Sequence, residues 1–215
     1  MEAPTIGSII LAGLLLKVGT FGMLRFIFPF LFSASNSMGP LVFFLSLLSI
    51  YHASLVALRQ IDLKKLIAYS SIAHMGFVIA GLFSNNIYSF VGSFFIMISH
   101  GIVSGGLFFL VGVLYDRYGS KAILDYGGLA TIMPNFSIAF FLFTLANLSF
   151  PGTSNFIGEL LVLLGLSEVN IIVTTFATFS IVLTSAYSIW ACNRLIFGVL
   201  NSRLVGFSDL NKSEF

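Results

Sequence analysis

Long apolar runs, separated by short polar breaks, follow one another along most of the chain. A helix of about 20 apolar residues crosses roughly 30 Å of hydrocarbon. Marked on that scale, the runs predict six membrane spans, at about residues 6–32, 41–58, 64–83, 88–115, 132–167 and 170–197. The pattern therefore indicates an all-α protein, a polytopic bundle of membrane helices.

The fifth run is too long for one straight crossing and contains a polar interruption. Its sequence NLSFPGTSNFIGELLVL places Pro151 and Gly152 among apolar residues and then puts Glu159 back into hydrocarbon. A freed backbone group and a carboxylate are both costly in lipid. We therefore predict one discontinuous helix, made of two half-helices at about 132–149 and 154–167.

Composition supports a membrane protein and excludes several other classes. The chain is 58% hydrophobic and 8% charged, with a mean hydropathy of +1.04. A net charge of +2 without a basic run does not suit nucleic acid. The single cysteine, Cys192, excludes an intrachain disulfide and a cluster of cysteine ligands, and no glycine-rich nucleotide loop follows a strand-like segment. We expect no metal, cofactor or nucleic acid on this chain.

Lysine and arginine are distributed unequally between the two sides of the six-span arrangement. Eight of the ten basic residues fall on one side, and the connections at 33–40, 84–87 and 167–170 have none. Connections that carry lysine and arginine remain on the side of the membrane from which the protein is inserted. This rule predicts that both termini lie on the cytoplasmic or mitochondrial matrix side.

A few ionisable residues lie deep inside the predicted spans. Lys17, His74 and His100 each lie roughly 15–18 Å from a membrane face, at about 1.5 Å per helical residue. Glu159 follows the interruption of the fifth span. Lysine, histidine and glutamate can all exchange protons, and ionisable residues in membrane spans commonly form proton relays. The pattern favours proton or cation translocation, with a purely structural bundle as the alternative.

Other polar or small residues have simpler interpretations. His52 is typical of a histidine that packs inside a bundle, and Arg25 could simply extend outward to the head groups. Gly101 and Gly105 form a GxxxG pair, which is more typical of close helix packing than of a site.

Four long segments and a short motif resemble one known family. They are EAPTIGSIILAGLLLKVGTFGMLRF at 2–26, LRQIDLKKLIAYSSIAHMGF at 58–77, MISHGIVSGGLFFLVGVLYDR at 97–117, YGGLATIMPNFSIAFFLFTLANLSFPGTSNFIGELLVL at 126–163 and FSDLN at 207–211. Together they resemble the antiporter-like subunits of NADH:ubiquinone oxidoreductase, respiratory complex I. The resemblance covers nearly the whole chain.

This resemblance implies a fold of two inverted five-helix repeats, each with one broken helix. Residues 1–35 would contain the last helix of the first repeat. Residues 36–198 would form the second repeat, with its broken helix near 150–154. Residues 199–215 would form a tail on the matrix or cytoplasmic side.

The resemblance also implies roles for the ionisable residues. Lys17 matches the lysine of the family's central hydrophilic axis, and His74 and His100 match polar positions along it. Glu159 matches the ionisable residue of the broken helix, which links the axis to the outer side. Pro151 and Gly152 would open that broken helix.

The implied function is proton translocation in the membrane arm, coupled to NADH oxidation and quinone reduction elsewhere in the complex. Flavin, iron–sulfur clusters and quinone would then belong to other subunits. A subunit of a multi-subunit cation/proton antiporter is the alternative. The implied location is the mitochondrial inner membrane, or else a bacterial plasma membrane.

The chain departs from the family pattern in its extent. Family members are considerably longer, and the earlier helices, with their paired glutamate and lysine, are missing here. We therefore expect a fragment of a split subunit, whose partners are lipids, other membrane-arm subunits and a separate chain that supplies the N-terminal half.

Overall fold

Every regular element in the computed structural model, which describes residues 4–199 and 208–210, is a helix. We number the seven principal helices in chain order: α1 Thr5–Phe30, α2 Phe32–Leu58, α3 Leu63–Phe83, α4 Ile87–Tyr118, α5 Pro134–Asn147, α6 Ser154–Val169 and α7 Ile171–Phe197. Among the described residues, five helices (α1 to α4 and α7) are long and apolar enough to cross a membrane. The prediction of an all-α membrane bundle is confirmed.

Helix α4 lies at the centre of the bundle. It packs against α1, α3, α5 and α6, while α2 packs against α3 and α7. Gly119, which follows α4, adopts a φ of 75° and ends the helix with a bond from its N–H to the Tyr115 carbonyl. Because four helices contact α4, side chains from all of them can meet along its length.

The fifth span consists of two half-helices stacked along α4. Phe143 of α5 contacts Gly106, whereas Gly158 and Gly165 of α6 contact Ile96 and Ser89. The residue numbers fall along α4 as they rise along α5 and α6, so both half-helices run antiparallel to α4. This arrangement confirms the predicted discontinuous helix. The interruption covers 148–153 and includes Pro151 and Gly152.

The two basic connections meet at one end of the bundle. The Leu63 N–H donates to the Lys121 carbonyl (3.0 Å), and the Ile123 N–H donates to the Ile61 carbonyl (2.8 Å). At the other end, the amide of Asn86 donates to the Glu168 carboxylate at 2.5 Å. The alternation of basic and non-basic connections agrees with this arrangement.

Of the predicted tail at 199–215, only 199 and 208–210 are described, so the basic residues Arg203 and Lys212 lie outside the described residues.

The predicted connection at 33–40 is wrong, because the chain is helical from Phe32 onward and only Leu31 separates α1 from α2. The polar residues there suggested a loop. Their hydroxyls are instead satisfied within the helix, where Ser35 donates to the Phe32 carbonyl and Ser37 to the Ala34 carbonyl.

Buried apolar side chains form two clusters. One lies toward the basic end and includes Leu63, Leu107, Ile123 and Phe136. The other lies toward the opposite end and joins Phe77 of α3 with apolar side chains from α2, α4, α6 and α7. The residues between the two clusters along α3, α4 and α6 are largely polar, and they form a layer that includes His74, His100 and Glu159.

Small residues allow α4 to approach α6 and α1 closely. A Cβ atom on Gly92 would lie 2.7 Å from both the Gly158 carbonyl oxygen and the Val162 nitrogen. A Cβ on Gly101 would lie 3.2 Å from the Gly13 carbonyl oxygen, and one on Gly105 would lie 3.8 Å from Ile9. Gly101 thus lies in a close contact with α1, as expected for helix packing, whereas Gly105 leaves room for an ordinary van der Waals contact.

Substituting Gly92→Ala is expected to destabilise the bundle, because the added methyl group meets backbone atoms that cannot rotate away. Overpacking of this kind costs about 1–3 kcal/mol. Gly105→Ala, on the same helix, meets only an ordinary van der Waals contact and should be neutral or slightly stabilising. The measurement is the temperature at which the solubilised assembly loses this chain. Equal melting temperatures for the two variants would contradict the close approach of α4 and α6.

Candidate functional site

A polar layer crosses the bundle between the two apolar clusters. His74 and His100 are 1% and 0% exposed, and Glu159 is 5% exposed. Lys17 is partly buried on α1. Each of these residues comes from a different helix, so the layer depends on the packing of α1, α3, α4 and α6 around one another.

The four side chains form a continuous row. The Lys17 ammonium nitrogen lies 2.9 Å from Nδ1 of His100, and it also donates to the Ala12 carbonyl. The His100 and His74 rings lie 5.3 Å apart between centroids, at 46° to each other. Nδ1 of His74 lies 2.9 Å from Oε1 of Glu159. The structure thus brings together the four ionisable residues that the sequence singled out.

Local features of α1 hold Lys17 in place. A π-helical turn at Leu11–Leu15 ends two residues before it, and such turns are frequent at functional sites. One turn later, the hydroxyl of Thr20 lies 2.9 Å from the sulfur of Met97 on α4. This contact fixes α1 against α4 at the level where Lys17 reaches His100.

Asn155 connects the two half-helices to the histidine helix. Its side chain is fully buried, and its Nδ2 donates to the Ala146 carbonyl at 3.0 Å. Its Oδ1 accepts from the Ser99 hydroxyl at 2.5 Å, one residue before His100. Because Glu159 follows four residues later, it lies on the same face of α6. In the sequence, Asn155 is distinguished from the rest of the interruption by its position four residues before Glu159.

Tyr187 of α7 is a further member of the layer that the sequence analysis missed. Its side chain is fully buried and lies close to Ser70 and to the Glu159 carboxyl group. Tyrosines are common in membrane helices, and nothing in the sequence around Tyr187 distinguishes it from one that faces lipid.

Each end of the row borders a cavity. A groove of about 500 Å³ between α1 and α4 is lined by Lys17, Met97 and Gly101 among others. A cavity of about 360 Å³ lies beside Glu159, between α6 and α7. The row therefore connects two spaces through groups that can both bind and release a proton.

Two other ionisable residues lie apart from the row. His52 is exposed on the surface of α2, so its interpretation as a buried packing residue is wrong. Apolar residues are distributed almost evenly around α2, so the sequence does not indicate the direction of that side chain. Arg25 is exposed on α1.

Comparisons with known proteins agree with this fold. Residues 1–184 match the model of a family described as NADH:quinone oxidoreductase/Mrp antiporter, transmembrane. The chain is 54% identical to NADH-ubiquinone oxidoreductase chain 4 of Acanthamoeba castellanii and of Chondrus crispus, and in both cases the match covers 100% of this chain and 44% of the relative. The chain thus spans less than half the length of these relatives.

A solved structure gives the same result. The structure of respiratory complex I from Thermus thermophilus with bound NADH contains a chain that superposes with a TM-score of 0.87 at 33% identity, over 92% of this chain and 42% of that one. The sequence match, the identity to relatives and the superposition all agree. The chain therefore belongs to the NADH:quinone oxidoreductase/Mrp antiporter transmembrane family.

Proposed function

We propose that this chain carries part of a proton path in the membrane arm of a respiratory NADH:ubiquinone oxidoreductase. The observation that supports this function most directly is the row from Lys17 through His100 and His74 to Glu159. Buried ionisable residues are costly in a membrane bundle, and a purely structural bundle would not need four of them in contact. The names of the relatives at 54% identity supply the respiratory context.

The row can couple distant charge changes to proton movement. Two unit charges 4 Å apart interact by about 4 kcal/mol at an effective dielectric constant of about 20. A proton that arrives on Lys17 therefore disfavours a second proton on His100, and the effect passes along to His74 and Glu159. Redox chemistry elsewhere in the complex would change the charge at one end of such a row. Protons would pass laterally and leave from Glu159.

Redox cofactors have no role on this chain in the proposal. Flavin, iron–sulfur clusters and quinone would belong to other subunits, and this chain would contribute only proton transfer to the enzyme. Its own reactive groups are the amine, imidazole and carboxyl groups of the row, which exchange protons without changing oxidation state.

The surface of α1 points to further helices as partners. Only 17% of the residues in the most apolar part of α1 are buried, and the groove beside Lys17 is open on that side. We propose that helices of the first repeat, on this polypeptide or on a separate one, cover this face together with lipid and other membrane-arm subunits. In this arrangement α1 closes the first repeat, and the helices that follow form the second.

We place the chain in the mitochondrial inner membrane, which fits its eukaryotic relatives, with a bacterial plasma membrane as the alternative. The basic end, where the 59–63 and 117–123 connections meet, would face the matrix. Glu159 would then lie on the path to the outer side.

A cation/proton antiporter subunit is the second candidate, because the matched family includes the Mrp antiporters. The two functions differ in what drives the protons. Sodium-dependent transport by an isolated assembly that lacks redox subunits would favour the antiporter.

Glu159→Gln is expected to lower NADH-driven proton transport at least tenfold in the assembled complex, because glutamine keeps the shape of the side chain but cannot carry a proton. The measurement is the initial rate of pH-gradient formation in vesicles. Glu168→Gln is the matched control, since this carboxylate lies on the same helix but is exposed and, among the described residues, bonds to Asn86, which precedes α4. Full transport in a correctly assembled Glu159→Gln complex would overturn the role of Glu159.

Lys17→Arg is expected to block transport as strongly as Lys17→Met, although arginine keeps the positive charge. A guanidinium group stays protonated at all physiological pH values, so it cannot release a proton to His100. Arg25→Met, at an exposed position of the same helix, should leave the transport rate unchanged. A transport rate for Lys17→Arg close to that of the unaltered chain would show that Lys17 provides only a fixed charge.

A further inference from the structure

The first turn of α5 is capped by a residue from the C-terminal tail. Pro134, its first residue, has no N–H, and the N–H of Ser137 donates to a carbonyl of the preceding turn. The N–H groups of Asn135 and Phe136 remain, and both donate to the carboxylate of Asp209, at 2.9 Å to Oδ2 and 3.2 Å to Oδ1. A carboxylate also suits this end of a helix, because the helix dipole is positive there. Asp209 therefore satisfies both backbone donors that the first turn of α5 leaves open.

The segment 208–210, which carries Asp209, is held at two further points. The guanidinium group of Arg117, in the last turn of α4, donates to the Ser208 carbonyl. Leu210 packs against the apolar cluster of the basic end and lines the groove between α4 and α5. These three residues are the described part of the FSDLN motif. The segment thus joins the end of α4 to the start of α5.

The other end of α5 contacts the polar layer. The Ala146 carbonyl accepts from Nδ2 of Asn155 at 3.0 Å, and Oδ1 of Asn155 accepts from the hydroxyl of Ser99, which precedes His100. Helix α5 is a continuous helix of 14 residues, roughly 21 Å long at about 1.5 Å per residue. A short continuous helix moves as a unit, so the position of its first turn determines the position of Ala146.

We propose that Asp209 is a positioning residue for the proton path. Its bonds to the first turn fix where α5 lies along α4. In turn, α5 places the carbonyl of Ala146, which binds Asn155 beside the row of ionisable side chains. The inference rests on the proposed function, because the property affected is the rate of proton transport through that row. Asp209 lies at the opposite end of α5 from Asn155 and transfers no proton itself.

Asp209→Ala removes both bonds to α5. We expect NADH-driven proton transport per assembled complex to fall about fivefold, the factor that corresponds to the loss of one helix cap. Asp209→Asn keeps one of the two acceptor oxygens, so it should slow transport only about twofold. The measurement is the initial rate of pH-gradient formation in vesicles, divided by the amount of assembled complex. An Asp209→Asn rate as low as that of Asp209→Ala would contradict a role through hydrogen bonds.

A double-mutant cycle distinguishes positioning from a general loss of stability. Asn155→Ala removes the bonds to Ala146 and Ser99, and it should slow transport at least as much as Asp209→Ala. The double variant should be no slower than Asn155→Ala alone, because two residues that act through one path are not additive. If Asp209→Ala leaves no assembled complex, the same cycle is measured with Asp209→Asn. Rate losses that multiply across the two substitutions would overturn the proposal, and so would a full rate in both Asp209 variants.

Two further variants complete the test. Asp116→Asn is the matched control, because this aspartate is exposed near the basic end of α4, and its transport rate should not change. If Glu159→Gln blocks transport whereas both Asp209 variants keep the full rate, only the positioning role falls. If Glu159→Gln leaves the transport rate unchanged, the proposed function falls, and the positioning role falls with it.

Discussion

The contact between His74 and Glu159 is the interaction on which the arrangement of the bundle most depends. Both groups are almost completely buried, and their atoms lie 2.9 Å apart between α3 and α6. An isolated carboxylate would be very costly at this depth, so α6 can keep Glu159 only if α3 presents a partner at the same level. This requirement fixes the register of α3 against α6. Near the start of the same helix, Asn155 adds polar bonds to Ala146 of α5 and to Ser99 of α4.

Helix α4 connects the His74–Glu159 pair to the rest of the polar layer. His100 lies between Lys17 and His74, and the preceding residue, Ser99, bonds to Asn155 of α6. The glycines of α4 and α6 permit the close approach that these short polar contacts need. The two apolar clusters above and below the layer then exclude water, which strengthens each electrostatic contact within it. The close packing of the helices and the polar contacts of the layer thus depend on each other.

The sequence predicts much of this fold because hydrocarbon imposes simple rules. Apolar length gives the spans, and a proline–glycine pair within an overlong run gives the discontinuous helix. The positions of Lys17 and Glu159 deep within the predicted spans indicate that they are candidate functional residues. The contact between the four side chains could not be predicted, because it depends on how each helix is rotated about its axis. The nearly uniform apolar surface of α2 and α3 gives little indication of that rotation. The same uniformity explains the wrong interpretation of His52.

The two ends of the row differ in burial. Lys17 is partly buried and borders a groove between α1 and α4, whereas Glu159 is 5% exposed and lies against His74. Apolar side chains make up most of the lining at both ends. The burial of Lys17 therefore depends on what covers α1, whereas that of Glu159 is already complete within the described residues.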